Sequence, residues 1–171
     1  MDGAVLERES IRERLHAVPP LVDGWVDLEA QLQPHGFDLT LREVAAFRGA
    51  GLVGAGQERE LAPTASMPFD DTGALTLGPG AYLITFNEVV HLPLDLVALA
   101  FPRSTLLRCG VSVHNAVWDA GYHGRSQALL VVFNPGGFRV VRNARLVQMV
   151  FLRLGHPVAQ GYQGRYQGEN L

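Results

Sequence analysis

From Leu75 to Leu154 the sequence breaks into short apolar runs, and turn residues interrupt them every few positions. LTLGPGAYLITF reads as a strand, a Gly-Pro-Gly turn and a second alternating strand; His91-Leu92-Pro93 punctuates, and Leu94–Phe101 follows. Ala128–Phe133, Phe138–Val141 and Leu146–Leu154 complete the series. Runs of this length cannot build helices of ordinary size, whereas strand side chains alternate between two faces. The pattern predicts a mainly β domain of about seven to ten short strands, as a sandwich, jelly roll or barrel. Upstream, PHGFDLTL (34–41) leads from a turn into the alternation Phe37, Leu39, Leu41, a further short strand. Residues 4–17 place Val5, Leu6, Ile11 and Leu15 among charges at near-helical spacing, which predicts one N-terminal amphipathic helix ended by Pro19-Pro20. Residues 25–33 carry no pattern.

A length of 171 residues suits one domain. Within it, residues 1–20 form a helical extension, and the polar, glycine-rich segment 155–171 is expected to be a mobile arm. The net charge of −3 excludes a broadly basic nucleic-acid surface, so any phosphate site must be a local cluster. All 14 basic side chains are arginine, which removes Schiff-base and P-loop lysine chemistry. The single cysteine, Cys109, excludes internal disulfides and a multi-cysteine zinc site. No apolar run approaches the ~20 residues of a membrane span. Met1–Ser10 lacks a signal-peptide pattern, and a cytoplasmic protein without membrane or nucleic-acid partners is expected.

Polar chemistry concentrates between Phe101 and Pro135. Arg103, Ser104 and Thr105 directly follow an apolar strand and Pro102. An arginine fork with hydroxyls and free N–H groups at a strand end makes a phosphate cradle, or simply a turn with a surface arginine. Asp119 lies in WDAGYHG, where an aspartate either bonds its own turn or serves as a base. Asn115 could present an amide to a base edge, and Tyr122 could be core or a plate for a sugar. His114 and His123 have no metal-ligand partners at a telling spacing, and no histidine–asparagine logic makes Cys109 a nucleophile. GAGLVG (49–54) matches Gly-x-Gly-x-x-Gly, but Pro63 follows too soon for the long helix a dinucleotide site needs, so a mobile glycine loop is expected.

Taken together, these segments resemble, in order, the motifs of the dUTPase and dCTP deaminase superfamily, closest to its dUTPase branch. PHGFDLTL is similar to the first motif, placing Asp38; GPGAYLITFNEVVHLPLDLVALAFPRSTL resembles the strand pair leading to the Arg-Ser-Ser phosphate motif. NAVWDAGYHG resembles the nucleoside hairpin, VVRNARLVQMVF the motif that ends in Gln148, and GYQGRYQGE a deaminase-like C-terminal arm. The resemblance implies a jelly-roll-like, distorted β-barrel protomer in a homotrimer with sites between subunits, and Mg2+-dependent hydrolysis of dUTP to dUMP and pyrophosphate. It implies that Asp119 activates water, that Arg103, Ser104, Thr105, Gln148 and Arg165 bind phosphates, and that Asp38 organises the metal–phosphate region. His114, Asn115, Ala116, Val117 and Trp118 would read the base, Tyr122 would pack under the deoxyribose, and Tyr162, Tyr166 and Gln167 would lie over the site. The metal would be held by phosphate oxygens and water, with no direct protein ligand. Deaminases of the superfamily carry a glutamate on the strand after the hairpin. Here that strand reads QALLVVF, although Arg108 stands where deaminases use an arginine. The alternatives are a dCTP deaminase, a bifunctional deaminase–hydrolase, and a non-catalytic nucleotide-binding β-sandwich.

Overall fold

The long strand Gly36–Phe47 organises the molecule because it pairs on different edges along its length. Phe37 to Thr40 pair with the strand Arg145–Arg153, whereas Leu41 to Ala46 pair with Gly80–Phe86. The register shifts between Leu41 and Glu43, and again between Arg145 and Val147 on the partner. Bulges of this kind bend a strand and let it pass from one layer to another. The structure, a computed structural model, describes residues 4–171.

The main antiparallel sheet runs in the order Leu96–Pro102, Arg145–Arg153, Gly36–Phe47, Gly80–Phe86, Gln127–Val132 and Val111–His114. Val22–Asp23, Val89–His91 and His123–Gly124 form a small second sheet, and Ala74–Leu77 pairs with Phe138–Val141. The fold is mainly β, as the alternation predicts, and jelly-roll-like, as the family resemblance implies. Its core is built from the inward positions of these strands, with Phe37, Leu39, Leu41, Ile84, Phe86, Leu96, Leu130 and Phe151 all buried. Burying one such side chain contributes about 1.5–3 kcal/mol. The alternation in 36–41 predicts one buried face, but all six residues are buried, Asp38 and Thr40 included. Both faces of this stretch are covered, so its polar residues must find partners inside the protein.

The N-terminal helix starts at Arg8, later than the sequence pattern suggests, and ends at Leu15. Glu7 caps it, its carboxylate accepting from the amides of Glu9 and Ser10. Val5 instead bridges Leu152, and the Leu6 amide donates to Phe151 O, so the chain enters the helix from the sheet edge. Ile11 and Leu15 then seal it against the core. Residues 25–33 hold a one-turn helix, Leu28–Gln31, and the short strand Leu32–Gln33. The GAGLVG stretch is not an irregular loop: Leu52–Val53 pairs with Arg59–Glu60 as an exposed hairpin. No helix among the described residues is long and apolar enough to cross a membrane.

Candidate active site

Two constellations emerge, one ionic and one cavity-lining. The first sits where Leu96–Pro102, Arg145–Arg153 and Gly36–Phe47 run side by side. Arg103 follows the first of these strands, and its amide is held by Leu146 O. Its guanidinium donates to Asp38 Oδ2, and Arg145 Nη1 reaches the same oxygen at 3.3 Å. Asp38 is fully buried, and its Oδ1 has no hydrogen-bond partner. Two guanidiniums against one carboxylate leave a surplus positive charge, which is the electrostatic requirement for an anion site. Burial, and then the charge of Arg145, lower the Arg103 pKa. Gln148 lies opposite Asp38 in the strand pairing. A Cβ on Gly36 would come within 2.8 Å of Gln148 Nε2 and 2.6 Å of Met149 O, so only glycine leaves that side chain its place. Ser104 and Thr105 stand exposed at the start of the short helix Ser104–Arg108.

The second constellation is the hairpin that follows the strand Val111–His114. Asn115 does not present its amide outward: Nδ2 donates to Ala100 O at 3.0 Å, and Oδ1 is buried without a partner. The amides of Trp118 and Ala98 donate to each other's carbonyls at 3.0 Å, and the Leu92 amide donates to Tyr122 O at 2.9 Å. These bonds sew the hairpin to its neighbouring strand. Trp118 Nε1 donates to Ser126 Oγ, and Tyr122 OH lies 3.1 Å from the same hydroxyl. A cavity of about 620 Å3 opens here, lined by Ala116, Val117 and Trp118 on one wall and by Asp119, Tyr122, Ser126, Tyr162, Tyr166 and Glu169 elsewhere. Asp119 is exposed and Tyr122 buried. His114 is exposed, whereas His123 stacks on His91, whose Nε2 is 2.9 Å from Asp23.

The C-terminal segment docks on this hairpin. Tyr162 N donates to Ala120 O at 2.8 Å, Gly168 N to His123 O at 2.7 Å and Arg125 N to Glu169 O at 2.9 Å. Gln167 accepts from His123 N and donates to Gly121 O, both at 3.0 Å. Tyr122 OH donates to Glu169 Oε1 at 2.8 Å, and the Tyr122 and Tyr162 rings meet edge to face. Burial raises the pKa of both Tyr122 and Glu169. Arg165 is exposed and reaches Arg59 O at 3.5 Å, so it lies neither on the cavity nor in the Asp38 cluster.

The structure therefore brings Asp38, Arg103 and Gln148 together, and separately gathers Ala116 to Asp119, Tyr122, Tyr162 and Tyr166. None of Asp38, Arg103, Ser104, Thr105 or Gln148 lines the cavity that holds Asp119. Sequence reasoning missed Arg145, Ser126 and Glu169. Only the strand pairing could have signalled Arg145, and only the docked arm brings Glu169 to Tyr122.

Comparison with known proteins places this arrangement. The profile of the dCTP deaminase-like family matches residues 5–154. A protein of Methanosarcina mazei named "probable deoxyuridine 5'-triphosphate nucleotidohydrolase" is 45% identical over 168 residues, 98% of each chain. The protein of the same name from Archaeoglobus fulgidus is 47% identical over 169 residues, again 98% of each. Among solved structures, the 2'-deoxycytidine 5'-triphosphate deaminase of Agrobacterium tumefaciens superposes with a TM-score of 0.67 at 25% identity, covering 90% of this chain and 49% of that one. The chain belongs to the dCTP deaminase-like family, in the company of archaeal members named for dUTP hydrolysis.

Proposed function

We propose that this protein hydrolyses dUTP to dUMP and pyrophosphate. The observation that carries the reading is the near-full-length identity of 45% and 47% to archaeal proteins named for that reaction. The geometry agrees in kind: a nucleoside-sized cavity bears one exposed carboxylate, Asp119, and a separate arginine cluster carries surplus positive charge. Arg103, Ser104, Thr105 and Gln148 bind phosphates in this reading, while Asp38 orients Arg103. Arg165 joins them once the arm moves from Arg59. The hairpin His114–Trp118 reads uracil with backbone groups, and Tyr122 closes the sugar side. Asp119 takes a proton from a water whose oxygen adds to phosphorus as the bridge between the α- and β-phosphates breaks. The products are then dUMP and pyrophosphate.

Magnesium enters as a companion of the substrate. Among the described residues no three His, Cys, Asp or Glu side chains converge on one point, whereas Asp38 Oδ1 is a buried acceptor without a partner. Such a donor set suits a hard cation that keeps its waters and is held by phosphate oxygens. When bound, the ion offsets phosphate charge and polarises the phosphoryl oxygens. Because the cavity and the arginine cluster are separate within one chain, the complete site is assembled between copies, and a homotrimer is the assembly the family resemblance implies. Exposed Phe101, Leu107 and Val117, near these two regions in sequence, are candidates for that contact.

The test is pyrophosphate release from a panel of deoxynucleoside triphosphates with Mg2+. Selective release from dUTP is expected; no release from any member would end the reading. The family's deaminase members motivate a second arm with dCTP. The strand Gln127–Val132 has no carboxylate, so conversion of dCTP to dUTP is not expected.

A further inference from the structure

Glu88 is a carboxylate that the proposed reaction does not use, yet it is only 1% exposed. Its partners are neutral. Thr40 N donates to Oε2 at 2.8 Å, while Thr40 Oγ1 and Gln31 Nε2 both donate to Oε1, the latter at 2.7 Å. Asn87 Nδ2 donates to Thr40 Oγ1 at 2.9 Å, which turns the hydroxyl proton toward Glu88. Gln31 is fully engaged: its Oε1 accepts from the amides of Val26 and Asp27, and its Nε2 also donates to Asp38 O at 2.8 Å.

These bonds converge on the ionic cluster. Thr40 stands directly opposite Arg145 in the strand pairing, and Arg145 also donates to Ala30 O in the one-turn helix that ends at Gln31. Glu88 thus grips the strand two residues beyond Asp38 and, through Gln31, both the Asp38 peptide and the turn that receives Arg145. Replacing Glu88 alone by an apolar residue would leave the Thr40 amide and a Gln31 N–H buried without acceptors, so the strand and the turn that carry them would have to shift. An acid that accepts three bonds, two from a strand residue and one from the end of a one-turn helix, fixes the relative position of the two elements.

We propose that Glu88 is a positioning residue of the phosphate cluster, holding Thr40 and Gln31 so that the Asp38 carboxylate and the Arg145 guanidinium meet Arg103 in binding geometry. The proposal rests on the dUTPase reading of the site. It predicts selective damage to triphosphate recognition, because the nucleoside cavity contains none of Gln31, Thr40 or Glu88.

The experiment uses the full chain with Glu88→Gln and Thr40→Val. Glutamine places an NH2 group against either Thr40 N or Gln31 Nε2, a donor against a donor in each rotamer; valine keeps the branched shape of Thr40 and removes its hydroxyl. Binding of a non-hydrolysable dUTP analogue with Mg2+ is measured beside binding of dUMP, turnover and melting temperature. In Glu88→Gln the analogue is expected to bind roughly tenfold more weakly, with dUMP affinity changed by less than about twofold. Thr40→Val should move the same ratio by about threefold. Should Glu88→Gln fail to fold, the Thr40→Val ratio decides. Unchanged analogue affinity in folded variants overturns the proposal, and so does a parallel loss of both ligands. Wild-type protein that neither binds the analogue nor cleaves dUTP would overturn the functional reading itself, an outcome visible before any variant is made.

Discussion

Gly121 and Gly161 meet backbone to backbone: a Cβ on Gly121 would lie 2.6 Å from the Gly161 Cα, and one on Gly161 would lie 2.8 Å from the Gly121 Cα. The contact locks the arm over the hairpin. Gly121 also has φ +82°, where any side chain is strained, so Gly161 is the cleaner position to alter. Gly161→Ala should displace the arm at a cost of about 1–3 kcal/mol in docking, the usual penalty of overpacking. Limited proteolysis should then cut residues 155–171 faster, with the melting temperature of the β domain little changed. Equal protection of the arm would show that the contact yields.

Asp119→Asn is the direct test of the base. The turn is held by the backbone bond from Tyr122 N to Asp119 O at 3.1 Å, which asparagine keeps, so the hairpin should fold as before. Turnover of dUTP should fall by ~100-fold or more while analogue binding with Mg2+ persists. Near-normal turnover in a folded variant would end the assignment of Asp119 as the base.

Gly36→Ala probes the other constellation. Its methyl group would press on Met149 O at 2.6 Å and on Gln148 Nε2 at 2.8 Å. A loss of about 1–3 kcal/mol of stability is expected, together with weaker triphosphate binding as Gln148 is pushed aside. Titration calorimetry with the non-hydrolysable analogue measures the binding, and a denaturant melt of the free protein measures the stability. Unaltered binding would mean that Gln148 is not a phosphate ligand.

Arm docking should depend on pH through Glu169. Burial raises its pKa above the ordinary 4.5, outweighing the opposing Tyr122 hydrogen bond. Docking is therefore linked to proton uptake: it is strongest at or below pH 4.5 and weakens as pH rises through the raised, docked value. Hydrogen exchange of arm amides, corrected for intrinsic rates, should show more protection at low pH, and Glu169→Gln should flatten that dependence. A steep dependence surviving in Glu169→Gln would assign the effect to another group.

Subunit mixing tests where the site is built. If the Asp119 hairpin and the Arg103 cluster of different chains cooperate, mixing two inactive variants, Arg103→Ala and Asp119→Asn, regenerates intact sites. Random mixing in a trimer gives about one intact site in four. No recovery after confirmed subunit exchange would place both groups in one chain's site. Light scattering of the wild type checks the trimer independently.

The strands were legible because alternation reports which face is inside, and Phe37, Leu39 and Leu41 are buried as that rule requires. The same rule assigns Asp38 and Thr40 to the outside, and there it fails. It assumes one wet face, whereas 36–41 is covered on both. Gln31 lies in a stretch without periodicity, and Glu88 follows a strand end, so neither stood out from ordinary surface polar residues. The arm's composition suggests mobility, yet many of its docking bonds are backbone to backbone and leave little mark on sequence. Asp119 and Tyr122 were found through motif resemblance; their separation from Arg103 is a fact of topology that no local pattern carries.

The stitching of Trp118 to Ala98 has a consequence for solubility. Leu96–Pro102 is the terminal strand of the main sheet, and without the hairpin its outer amides and carbonyls would form an open template beside an apolar sequence. The hairpin caps that template. A substitution that loosens it therefore exposes a surface able to recruit the same strand of another molecule, and variants crippled at residues 115–122 should form β-rich aggregates on storage as well as losing nucleotide.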